Sequence, residues 1–429
     1  MFKLRWVAPC AVTMGLVTAG SALGQDEPTL SAGDTAWVLT STALVLMMTL
    51  PGLALFYGGL VRSKNVLSVL MQCLISAGLV GVLWIVVGYS LAFAEGNSIV
   101  GGLGKVGLAG IDPSSLDGRT IPEYVFVMFQ GMFAIITPAL MLGAFAERMR
   151  FGPYVAFIGI WVLVVYCPLA HQVWGGGWLF EFGAIDFAGG LVVHMSSGFS
   201  ALAAAIFLGK RRGFGKEPMP PHSVPLTVIG ASLLWVGWFG FNAGSELAAD
   251  GVAGLAFLNT NTAAAAAVLG WVFIEWIHRG RPTVLGAATG AVAGLVGITP
   301  ACASVSPMGA IAVGLGASAV CYLAVTMLKP VLGYDDSLDV FGVHGVGGAW
   351  GALATGLFIM SGELPEGVSR MAQVGTQAAS IAYVAVLAPV LTVAILFLLK
   401  MVFGDLSVSE EDEHSGLDLS QHSESAYVG

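Results

Sequence analysis

Two histidines, His194 and His344, lie inside long apolar stretches, and each follows an aspartate: Asp186 in Asp186-FAGGLVV-His194 and Asp339 in Asp339-VFGV-His344. An ionisable ring among apolar residues is costly at membrane depth, and such rings usually face a pathway or a partner. One ring in each half of a chain suggests a shared conduction route. The plain alternative is two unrelated core histidines, each hydrogen-bonded locally; the aspartates and the neighbouring motifs favour the shared route.

Those motifs are aromatic. Trp238, Phe241 and Ser245 follow one another at helical spacing, and Phe129 and Phe133 repeat it around Gln130. Stripes of this kind usually form core. Here they accompany a hydroxyl and Trp174 in a Trp-Gly-Gly-Gly turn, a set able to cage a small cation by ring-quadrupole attraction and one hydrogen bond. A phenylalanine plug below the cage rejects any ion that stays charged and hydrated, because its desolvation costs many kcal/mol. A cation able to shed a proton could pass such a plug as a neutral molecule, and neutral imidazoles beyond it would both donate and accept hydrogen bonds. Asp186 has two readings: direct ligation of the cation, or acceptance of backbone N–H bonds at a helix end. Either makes the adjoining mouth favourable for a cation.

The elements that must position these groups are membrane helices. The 429 residues are 56% hydrophobic and 10% charged, against roughly 25% charged in soluble domains. The 59 glycines suit closely packed helices. Eleven spans are expected, near 35–57, 66–94, 124–146, 152–170, 190–209, 224–245, 254–278, 283–300, 307–328, 341–360 and 376–403. Twelve Lys and Arg fall in the odd connections and the tail junction, against Lys105, Arg119 and Arg370 in the even ones. That bias predicts an external N-terminus and an internal C-terminus. Five spans plus five, each set ending on an Asp-then-His segment, form an inverted repeat with one extra helix.

Residues 1–24 read as a cleaved signal peptide, with an uncleaved first span as the alternative. Residues 25–404 form the membrane domain and 405–429 an acidic tail. Cys73, Cys167, Cys302 and Cys321 lack metal-ligand spacing and read as packing residues. The net charge of −9 comes partly from the acidic run Glu410 to Glu413, and without a basic array interleaved with aromatics no nucleic-acid partner is expected. No cofactor is expected, and no nucleophile–base set suggests an enzyme.

The segments Asp186-FAGGLVVHMSSG, Trp238-FGFNAGS, Asp339-VFGVHGVGG, Gly143-AFAERMRF and Thr299-Pro300-Ala301-Cys302 resemble the Amt/Mep/Rh ammonium transporters, the bacterial Amt branch in particular. The resemblance runs from about residue 30 to the end. It implies ammonium as substrate, with methylammonium as analogue. It makes Phe133, Trp174 and Ser245 the recruitment site, Phe133 and Phe241 the gate, and His194 and His344 the pore. Asp186 becomes support for recruitment and deprotonation, while Phe129, Trp238 and Thr299 become pore wall. It further implies a homotrimer in a bacterial inner membrane, plugged from the cytoplasm by a PII-type signalling protein. The tail resembles one that contacts a neighbouring subunit, although Asp405 stands where many relatives carry glycine and Ser407 where many carry arginine; without the family it reads as a solvated segment. Thr289 replaces a serine and keeps the hydroxyl. The alternatives are an electroneutral Rh-type gas channel and an ammonium sensor signalling through the tail. Sensors usually append a kinase or cyclase domain, for which the residues after Phe403 leave no room. A current with ammonium discriminates the channel.

Overall fold

The computed structural model describes residues 29–427, so the expected signal peptide lies outside the described residues. The described chain is helical, with isolated bridges and no extended strand. Among the described residues nine helical segments are long and apolar enough to cross a membrane: α1 Ala32–Leu60, α2 Ser63–Phe93, α3 Glu123–Phe145, α4 Phe151–Glu181, α5 Gly190–Leu208, α6 Val224–Glu246, α7 Gly251–Arg279, α9 Pro307–Leu332 and α11 Arg370–Phe403. Two shorter helical segments lie between the later ones: α8, Val284–Ile298, and α10, where Phe341–Gly345 continues into Val346–Phe358. Each expected span therefore coincides with a helix. The largest departure is α4, which runs on to Glu181 where the expected span stops at 170; α11 begins at Arg370 and carries Pro389 inside it.

Local chemistry sets the starts. Ser31 accepts the Asp34 N–H at 3.2 Å, Asp250 accepts those of Val252 and Ala253, and Ser306 accepts that of Gly309 just before Pro307. Each side chain satisfies an amide that the first turn cannot, and a proline in that turn sacrifices no hydrogen bond. Inside the helices the chain widens into π turns at six places, including Met48–Leu53 around Pro51, Gly190–Met195 around His194 and Phe341–Gly345 around His344. Such turns are concentrated at functional positions in helical proteins.

Glycine permits the central crossing. A side chain at Gly198 would strike the backbone of Gly345, and one at Gly348 would lie 2.9 Å from Gly190 O and 3.1 Å from His194 Cβ. The bare surfaces let α5 and α10 approach closely enough to bring their histidines together.

At the tail end a buried ionic cluster ties four segments. Glu147 accepts from Arg62 Nε (2.9 Å) and Arg211 (2.9 Å), while Asp335 accepts from Arg211 (2.8 Å) and forms an ion pair with Arg148 at 3.2 Å. Burial pushes both carboxyls up, and the guanidiniums more than reverse it, holding both below the usual carboxylate range. The tail is not a solvated segment. It forms two short helices, α12 Glu410–Ser415 and α13 Leu417–His422. Asp418 is buried and accepts the Leu67 and Ser68 N–H groups at 3.0 and 2.8 Å, capping α2, while Lys64 Nζ donates to the carbonyls of Glu413 and His414. At the two departures from the family pattern, the Asp405 carbonyl accepts from Arg150 at 2.8 Å and Ser407 bridges to Met149.

Candidate functional site

His194 and His344 meet. Their Nδ1 atoms lie 3.2 Å apart, with ring centroids at 5.3 Å. Both are buried. Thr299 decides which nitrogen carries the proton. Its hydroxyl donates to Leu295 O at 2.8 Å and accepts from Trp238 Nε1 at 2.9 Å. His194 Nε2 at 3.3 Å therefore meets an oxygen whose proton is already committed, so this nitrogen donates. A neutral His194 then accepts at Nδ1, His344 donates from its own Nδ1, and His344 Nε2 remains the bare acceptor of the pair. This chain of donors is assigned from heavy-atom geometry.

The aromatic residues stack above the pair. The His194 ring lies 5.4 Å from Trp238 at 24° and 5.8 Å from Phe241 at 21°. Phe133 covers Phe241 at 4.3 Å, with Phe129 at 5.0 Å and Trp174 at 6.1 Å from Phe133. Trp174 Nε1 donates to Asp186 O at 2.8 Å, which fixes the indole over the mouth. Ser245 Oγ donates to Phe241 O at 2.8 Å, leaving the oxygen lone pairs as acceptors. Ten of the residues named from the sequence thus join one continuous constellation.

Cavities follow the same order. A vestibule of about 240 Å³ is bounded by Phe133, Trp174 and Ser245. Beyond the Phe133–Phe241 pair, Phe241, Trp238, His194 and His344 enclose an almost wholly apolar space of about 10 Å³, hardly more than one water. His344, Phe56 and Val292 also bound the next cavity, of about 50 Å³, with Thr289. Thr289, Leu285 and Asp339 lead on to an open one of about 470 Å³.

Asp186 caps the histidine helix. Its carboxylate accepts four backbone N–H groups, from Gly189 (3.0 Å), Gly190 (2.5 Å), Leu191 (2.8 Å) and Val192 (3.1 Å). Gly189 sits at φ 115°, where a side chain would also press Val193 at 2.7 Å. The carboxylate's lone pairs are committed to these amides, which favours the structural of its two readings.

The aspartate nearest before His344 in sequence does not cap its helix. Asp339 points to Lys329, at 2.5 Å. The residue that caps the second histidine helix is Asp336, whose Oδ2 accepts the Phe341 N–H at 2.8 Å while the side chain is wholly buried. The signal was present: Asp336 stands eight residues before His344, as Asp186 stands eight before His194. Phe56 and Val292 were not singled out either, being two apolar residues among many.

Comparison with known proteins now decides the family. The model of the Ammonium Transporter Family matches residues 36–427. The chain belongs to the ammonium transporter family. An ammonium transporter of Bacillus subtilis (strain 168) is 49% identical over 405 residues, covering 93% of this chain and 99% of that protein. The crystal structure of Candida albicans Mep2, 39% identical, superposes with a TM-score of 0.83 over 90% of this chain and 88% of that one. A solved structure described as a sensor Amt protein, 32% identical, gives 0.85 over 91% and 98%. In this family member, then, the histidine pair, the ring stack and the capped helix ends form one multi-pass membrane architecture.

Proposed function

We propose that the chain takes up ammonium across a bacterial inner membrane, crossing it eleven times as an inverted five-plus-five repeat plus α11, with the N-terminus outside, the tail inside and residues 1–24 cleaved. Ammonium is recruited among Phe133, Trp174 and Ser245, where ring faces and a hydroxyl oxygen replace part of its hydration. It gives its proton to water in the vestibule above the Phe133–Phe241 gate and crosses the histidine pair as ammonia. His344 Nε2 accepts an ammonia N–H there, and Trp238, Phe129 and Thr299 hold the walls. The proton also crosses, so net uptake is electrogenic. Asp186 supports recruitment by fixing the Gly189–Val192 turn and, through its carbonyl, Trp174.

One observation carries this reading. The enclosed space that Phe241 and Trp238 bound together with the two imidazoles is of about 10 Å³ and almost wholly apolar. A monovalent cation that cannot lose its charge would have to be stripped of water there without replacement. The two helices with buried Asp–His pairs at equal spacing favour the inverted repeat. Assembly as a homotrimer in the lipid bilayer, and closure by a PII-type protein over the tail-side opening, belong to the same proposal. A sensing role through the tail is the second reading, favoured by the likeness to the sensor Amt structure.

Proteoliposome currents test it. Ammonium should drive a saturable current, methylammonium a smaller one, and potassium none. An equal potassium current would overturn the neutral-passage step. Ammonia flux without current would establish the electroneutral Rh-type alternative.

A further inference from the structure

The vestibule holds a cation of the protein's own. Arg119 lines it together with Phe126, Gln130, Phe133, Trp174 and Ser245, and is the charged side chain among the lining residues. Its guanidinium carbon lies 3.8 Å from the centroid of the Phe126 ring, well within cation–π range. A sharp reversal delivers it there: Asp117 and Gly118 adopt φ of 49° and 74°, and the Arg119 N–H closes the turn on Leu116 O at 3.0 Å. Asp117 then tethers the guanidinium, accepting from Nη1 at 2.7 Å with its carboxylate and 3.1 Å with its carbonyl. The same carboxylate binds Lys105 at 3.2 Å, and Lys105 also pairs with Glu123. Two cations and two carboxylates cancel formally on this rim. Only the guanidinium of the four reaches the vestibule lining.

We propose that Arg119 sets the specificity of the recruitment vestibule, as a tethered cation that competes with the incoming one. It covers a face of the Phe126 ring that could otherwise attract a passing cation, and its fixed charge raises the energy of any second positive ion nearby. The guanidinium also narrows the vestibule against ions larger than ammonium. The side chain keeps 25% exposure, so water screens it and its effect on binding is a few-fold. The proposal rests on the reading that this vestibule receives a monovalent cation.

The test is a concentration series of ammonium and methylammonium currents in proteoliposomes with the unaltered protein and with R119Q, R119M and R119K. R119Q should lower the ammonium half-saturation about two- to five-fold, leave the maximum near its original value and gain more for methylammonium. That gain should shrink as ionic strength rises, since salt screens an exposed charge. R119K, which keeps the charge, should stay near the unaltered protein. R119M keeps an apolar stem against Phe126 and should follow R119Q; it serves where R119Q is not recovered as a monodisperse oligomer. An unchanged or raised half-saturation in both neutral variants, or R119K behaving like R119Q, would overturn the proposal. Absence of any saturable current from the unaltered protein would instead overturn the transport reading on which it rests.

Discussion

The two histidine helices are built to one plan and finished differently. Each begins with a buried aspartate eight residues before its imidazole and passes the ring through a π turn. At the start of α5 the aspartate is saturated, with four backbone donors on two oxygens. At the start of α10 one amide binds Oδ2, while Oδ1 of Asp336 is buried without a hydrogen-bond partner, beside the Lys329–Asp339 ion pair. The start of α5 is therefore locked by amides alone. That of α10 is held by ionic groups as well, with the Arg211 cluster behind it. A repeat can conserve the placement of a ring and still give its two ends unlike supports.

The sharpest way to break this comparison is to delete each aspartate. Asp186→Ala orphans four buried amides, at about 1–3 kcal/mol each, so a loss of about 4 kcal/mol or more is expected. Asp336→Ala orphans fewer and should cost about 1–3 kcal/mol. Thermal unfolding of both variants in detergent measures the difference. Equal losses would mean that the unlike caps carry no unlike energy. Asp186→Asn should fold better than Asp186→Ala and still transport poorly.

Next in size is the loss of the rings. His194→Ala should assemble yet lose or alter ammonium current, because Thr299 and His344 Nδ1 both lose their partner. His344→Ala removes the bare acceptor but leaves the His194–Thr299–Trp238 link intact, so it should disturb packing less. If the double alanine variant kept both rate and selectivity over potassium, the pore assignment would be wrong. His194→Asp should admit cations, since a fixed negative charge lowers the barrier to an ion that keeps its proton.

The mouth should respond more mildly. Trp174→Leu removes a cation–π partner worth about 0.5–2 kcal/mol, raising half-saturation roughly 2- to 30-fold with the maximum little changed. Ser245→Ala should add at most about 1 kcal/mol. A fall in maximum at constant half-saturation would assign both residues to structure alone.

The smallest effect concerns acid. Glu147 and Asp335 are held below their unfolded pKa values. Their contribution is therefore fully present above the unfolded values, near 4, and is lost as pH falls below them. Arg211→Gln should shrink that acid-dependent loss in a melting-temperature series between about pH 3 and pH 7. Identical curves would detach the cluster from stability.

Much of this was legible because membrane helices announce themselves in composition, and because aromatic and imidazole groups are rare enough there to stand out. The seven aromatic and imidazole residues of the constellation stood out for that reason. Asp336 was overlooked because three aspartates fall within five residues, and proximity to His344 favoured Asp339. The tail's packing was illegible for another cause. An acidic run looks solvated until the amides it caps, on a helix some 350 residues away in sequence, are known. Pro389 lies inside α11 without ending it, since its neighbours decide whether a lost amide bond matters.

The π turns at His194 and His344 have a further meaning for chain length. A π turn stores one residue more than an α-helix of the same rise would need, a bulge that rotates everything beyond it by about 100°. Removing one apolar residue, such as Val192 or Val343, would change composition negligibly and give each helix a more regular course. It would also swing the imidazole away from its partner. The meeting of the two rings thus depends on a count of residues as much as on their kind, and these short stretches should tolerate substitution far better than deletion.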